Sequence, residues 1–170
     1  MWAEDVGRAL AVALLAGAAA CGSSDNSVGP QAQTFVASMS ASQETSLKVP
    51  SQATGTATFT VTGSQITLTS LTVQDIDSVT ASHIHLGAPG VAGGIAVPLL
   101  ALNPPSGPIG AAQALVTNLP IPQSAIVGIS GAAPITVDSL LVLFQSGGAY
   151  VNVHTRANPA GEMRGQIVPK

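Results

Sequence analysis

Cysteine is almost missing from this chain. Cys21 is the single one in 170 residues, which excludes an internal disulfide and any cysteine-rich metal site. Charge is nearly as scarce. Asp, Glu, Lys and Arg together make up 8% of the residues and the formal net charge is -3. With five Lys and Arg in all, no basic cluster exists to neutralise a run of phosphates, so nucleic-acid binding lacks its dominant energy term. Aromatic residues, at 3%, leave few platforms for stacking sugars. No Gly-x-Ser-x-Gly elbow occurs, which removes the usual signature of an α/β-hydrolase nucleophile. Ser, Thr, Gly, Ala and Val are what remains in quantity, and a surface wetted by hydroxyls and amides suits an extracellular β-domain. The length allows one ordinary core and not two.

After Arg8, the run ALAVALLAGAAA at 9–20 is apolar, built of small residues and short for a bilayer span. These are the properties of a signal-peptide h-region. The run ends at Ala18-Ala19-Ala20-Cys21, which resembles a bacterial lipobox, and the resemblance implies that Cys21 is the lipid attachment site. Gly22-Ser23-Ser24-Asp25-Asn26-Ser27 has the polar, flexible composition of a tether. The expected organisation is therefore a signal peptide over 1–20, a tether over 21–33 and one folded domain over 34–168. The chain is expected in the bacterial cell envelope, lipid-anchored, and touching the membrane only through that anchor. The alternative is an ordinary secretory signal cleaved near Ala20, which makes the chain secreted and Cys21 a free thiol.

From Thr34 onward, short alternating runs are separated by turn residues, the pattern of a mainly β, antiparallel β-sandwich or small barrel. Strands are expected over 34–40, 55–62, 65–73, 79–86 and 95–100, with Gly63-Ser64 as a hairpin turn. Residues 101–125 hold five prolines and allow one edge strand, over 113–118. One short helix near the C-terminus is expected in SLLVLFQSGG, where Leu140, Leu141, Leu143 and Phe144 share a face and Gly147 is the stop. A terminal hairpin follows, 149–155 and 162–168 around a turn rich in Asn, Pro and Gly.

Three segments resemble the CHRD family, the module named after the developmental regulator chordin and found in many secreted bacterial proteins. They are Gln43-Glu44 with Pro50 and Ala53-Thr54-Gly55; His83-Ile84-His85-Leu86-Gly87-Ala88-Pro89-Gly90; and Tyr150-Val151-Asn152-Val153-His154-Thr155 continuing through Asn158-Pro159-Ala160-Gly161-Glu162-Met163-Arg164-Gly165-Gln166-Ile167. The resemblance implies a β-sandwich-like extracellular module without established catalytic chemistry. It does not carry chordin's antagonism of growth factors to a short chain, because fold does not transfer function.

All three histidines, His83, His85 and His154, fall inside these motifs. On a strand, His83 and His85 project to one face, with Ile84 and Leu86 on the other. Tyr150, Asn152 and His154 share a parity, as do Glu162, Arg164 and Gln166. Two readings follow. In one, His83, His85 and His154 converge on zinc or copper, with Glu162 as fourth ligand or outer partner. In the other, the imidazoles, Asn152, Glu162 and Arg164 form a hydrogen-bonded polar face that fixes the register of the sheet. A copper/zinc superoxide dismutase is excluded because it needs more histidines than three. A Ser-His-Asp triad is disfavoured because Ser82 faces away from His83. The expectation is a non-enzymatic, envelope-tethered binding or structural module without a cofactor and with an unidentified envelope or extracellular ligand. The alternative is a metal-binding module.

Overall fold

The computed structural model describes residues 31–46 and 48–170; the leader, Cys21 and most of the tether lie outside the described residues. Eight strands form one antiparallel sheet: β1 Gln33–Ser40, β2 Thr54–Thr62, β3 Gln65–Gln74, β4 Val79–Leu86, β5 Ile95–Ala101, β6 Gln113–Ile121, β7 Ala149–Thr155 and β8 Met163–Pro169. Their order is β5-β4-β7-β8-β1-β2-β3-β6. The sheet curls until its two edge strands, β5 and β6, meet, so the fold is a nearly closed barrel. Among the described residues no helix is long and apolar enough to cross a membrane.

Alternation explains which side closes inward. Phe35, Ala37 and Met39 of β1, Ala57, Phe59 and Val61 of β2, and Ile66 and Leu68 of β3 are buried at every second position, as a half-buried pleated strand requires. A bulge in β3 preserves this inward set through Leu71 and Val73. Strand β6 runs three residues beyond the expected Asn118, through Pro120. At the outer edge of a sheet the missing N–H of a proline leaves no ladder bond unmade.

The one α-helix among the described residues, α1 Val137–Ser146, is capped at both ends. Thr136 Oγ1 accepts from the Ser139 N–H, an arrangement worth about 1 kcal/mol. Gly147 takes the left-handed conformation at the other end, and the Gly148 N–H reaches the Leu143 carbonyl at 2.8 Å, a Schellman-type stop. Leu140 and Phe144 are its buried residues. The Phe144 ring meets those of Phe35 and Phe59 with centroids 5.6 and 5.3 Å away, so the helix adds an aromatic wedge to the core.

Candidate metal centre on the β4–β7–β8 face

Strand β4 pairs with β7, setting His83 opposite Asn152 and His85 opposite Tyr150. Strand β7 pairs with β8, setting Asn152 opposite Arg164 and Tyr150 opposite Gln166. Parity sends Ser82, Ile84, Val151, Val153 and Met163 into the core. The histidines, Tyr150, Asn152 and Arg164 take the other side. That side is not open surface, because His85, Tyr150, Asn152, His154 and Arg164 are all buried.

Over His85, Tyr150 and Arg164 lies the loop 87–94. Arg164 donates from Nη1 to the Val91 carbonyl at 3.0 Å and from Nη2 to the Ala88 carbonyl at 3.3 Å. Gln166 Nε2 donates to the Gly87 carbonyl at 2.6 Å. The Gly93 N–H donates to Tyr150 Oη at 3.0 Å, and His85 Nδ1 donates to the Gly93 carbonyl at 2.9 Å. A side chain at position 93 would collide with the Leu86 carbonyl oxygen, 1.6 Å from an ideal Cβ, so glycine is needed where the loop turns back. Beneath the loop, Arg164 lies 3.5 Å over the centre of the Tyr150 ring, and His85 stacks on Tyr150 at 5.1 Å with the planes 13° apart.

The three histidines come together, each offering a ring nitrogen, with these nitrogens all within 4.8 Å of one another. His83 Nδ1 and His154 Nε2 are 3.0 Å apart, close to the roughly 3.3 Å that two tetrahedral ligands at about 2.0–2.1 Å from zinc would show. His154 Nδ1 donates to the Pro159 carbonyl at 3.1 Å, as His85 does to that of Gly93. A carbonyl only accepts, so both rings carry their proton on Nδ1 and turn the lone pair of Nε2 toward the cluster. This is how ligating histidines are ordinarily oriented from behind. His85 Nε2 is buried with no hydrogen-bond partner among the described residues.

Burial is the main reason that all three imidazoles lose basicity. His83 is lowered to about 4, first by burial, then by His154 and His85. His85 is lowered by burial, with Arg164 adding to the effect and the Gly93 carbonyl and Glu44 opposing it. His154 is lowered by burial and by His85, against the Pro159 carbonyl and Glu44. At neutral pH the cluster is therefore uncharged, the state in which imidazole binds a metal.

Glu162, expected beside His154, stands apart from the cluster. Pairing of β7 with β8 ends at Val153 and Met163, and although the Glu162 N–H still donates to the Val153 carbonyl at 2.8 Å, the residue lies beyond the paired register, next to Gly161 with φ 138°. Its carboxylate instead accepts from the hydroxyl of Thr155, from Ser51 Oγ at 2.7 Å and from Asn158 Nδ2 at 3.2 Å. The acid facing the histidines is Glu44, whose Oε2 accepts from Asn152 Nδ2 at 2.9 Å. It reaches Asn152 from across 108 residues, and its place in the first family-like segment is what singled it out in the sequence.

The family model for the CHRD domain matches residues 35–167. The chain belongs to the CHRD family. In this CHRD domain the segments 83–90 and 150–155 fall on the adjacent strands β4 and β7, which carry the three histidines, and the first runs on into the loop over His85. Among curated proteins and among solved structures no significant match is found.

Proposed function

We propose that this CHRD domain is a non-enzymatic metal-binding module on an exported, lipid-anchored chain, with His83, His85 and His154 as the ligands of zinc or copper. The observation that carries the reading is the lone pair of His85 Nε2, buried and without a partner beside two further imidazole nitrogens. An unmet buried acceptor costs about 1–3 kcal/mol, and a metal ion removes that cost. The test uses the purified full-length chain, incubated with zinc or copper and freed of excess, with bound metal counted by elemental analysis. One ion per chain is expected, lost in His85→Ala and His154→Ala while circular dichroism stays that of a β protein. Substoichiometric metal, unchanged in these variants, would refute the site.

A second reading is supported by the 3.0 Å hydrogen bond between His83 and His154. In it, the polar face only locks the sheet register, and the domain serves as an adhesive or structural envelope module. The same metal count separates the two. For anchoring, the support is the small-residue run before Cys21. Labelled fatty acid fed to a bacterial host should enter the wild-type chain and be absent from Cys21→Ser; equal labelling of both would remove the anchor.

A further inference from the structure

Three neutral imidazoles provide lone pairs but no charge, and the nearest buried cation, Arg164, opposes a metal ion. Compensation has to come from elsewhere on the same face. Glu44 is the carboxylate there, fixed by three donors: Asn152 Nδ2 to Oε2 at 2.9 Å, and the Thr45 N–H and Ser46 Oγ to Oε1 at 2.8 and 3.1 Å. Because a carboxylate only accepts, Asn152 must turn its NH2 toward Glu44. Its Oδ1 is thereby left buried and without a partner. Asn152 is the cross-strand neighbour of His83 and sits between Tyr150 and His154 on their face. Room for this arrangement depends on glycine at 161, where an ideal Cβ would stand 2.5 Å from Glu44 Oε2 and 2.6 Å from Asn152 Oδ1.

His85 Nε2 and Asn152 Oδ1 are thus two unmet buried acceptors on one face. A metal ion carrying water answers both, since the ion takes the imidazole lone pair and its water donates to the amide oxygen. Among the described residues this face carries no soft donor: the methyl ends of Met39 and Met163 both lie beside Gly55, and both residues are core residues. Thioether and thiolate favour copper(I), whereas imidazole with a water and a nearby carboxylate suits a borderline divalent ion.

Resting on the metal-binding reading above, we infer that the ion held by His83, His85 and His154 is divalent and retains a water bound to Asn152 Oδ1, and that Glu44 is the positioning residue that makes the site select a doubly charged ion.

The experiment compares the full-length wild type with Glu44→Gln, Glu44→Asp and His85→Ala. Affinities for zinc(II) and copper(I) are measured by competition with chromophoric chelators, and cobalt(II) spectra are recorded with and without azide. Glu44→Gln should weaken zinc(II) by about 10- to 100-fold, the usual effect of removing an outer partner, and weaken the singly charged copper(I) clearly less; Glu44→Asp should restore most of the loss. Azide should shift the cobalt(II) bands as it replaces the water. Equal weakening of both ions, no weakening of either, or a spectrum indifferent to azide would overturn the inference while leaving the three-histidine site intact. A wild-type chain that takes up no ion would remove the metal-binding reading and this one with it.

Discussion

Arg164 and His85 clasp Tyr150 between them, the guanidinium 3.5 Å above the ring and the imidazole stacked on it. Through this stack and the shared loop 87–94, a residue of β8 controls how a histidine of β4 is held.

Replacing Arg164 by Lys should therefore loosen the loop. A lysine cannot serve both the Val91 and Ala88 carbonyls as a planar fork does, and hydrogen bonds from a charged donor are the stronger ones, so a loss of about 1–3 kcal/mol is expected in denaturant unfolding. Amide exchange should accelerate at 87–94 more than at β1–β3. Uniform acceleration throughout the domain would contradict a local clamp.

Metal-free protein should lose stability as pH falls from about 6.5 toward 4. The unfolded chain's histidines take up protons near their ordinary value of about 6.5, while native His83 stays neutral down to about 4 and His85 and His154 are lowered in the same direction. In that window the unfolded state binds more protons, so protonation favours unfolding. Thermal midpoints recorded in chelator should decline across the window, and less steeply in His83→Ala. Identical slopes would show that these imidazoles are not the titrating groups.

Asn158 joins two distant segments. Its Oδ1 accepts from the Lys48 and Val49 N–H groups, and its Nδ2 donates to the Val49 carbonyl and to Glu162. Asn158→Ala should cost about 2–4 kcal/mol, because these four hydrogen bonds, one of them buried at Glu162, are lost together. Limited proteolysis should then cut first within 44–51. Cleavage confined to other loops would show that Asn158 does not hold this segment.

In the core, Phe144→Ala should cost about 3–5 kcal/mol through the cavity left beside Phe35 and Phe59. Val142, on the same helix but 65% exposed, should change stability by less than about 0.5 kcal/mol when replaced by Ala. Urea midpoints of the two variants measure the contrast.

Much of this was readable from residue order alone. Alternation located the strands because a pleat has a period of two, and the same parity put His83 with His85 and Tyr150 with Asn152 and His154. Leu140 and Phe144, four apart before a glycine, marked the inward stripe and end of α1. What parity cannot supply is which strands are neighbours: the placement of β4 between β5 and β7 depends on pairings across some seventy residues. The loop lying over His85 was equally hidden, since its attachment runs through backbone carbonyls that any sequence possesses. Glu162 illustrates the limit. Its parity was that of Arg164, but the ladder stops one residue too early for parity to apply. Glu44 illustrates the converse, a loop residue with no periodicity that the fold carries onto the face.

His83 and His154, 71 residues apart, become neighbours only when β7 docks on β4. A chain not yet folded owns the His-x-His of β4 and nothing to complete it. An ion that needs all three rings is captured by the finished sheet alone and, by binding only that state, stabilises it. Loading of the proposed site would thus record that β7 has docked on β4, wherever along the chain's path the docking takes place.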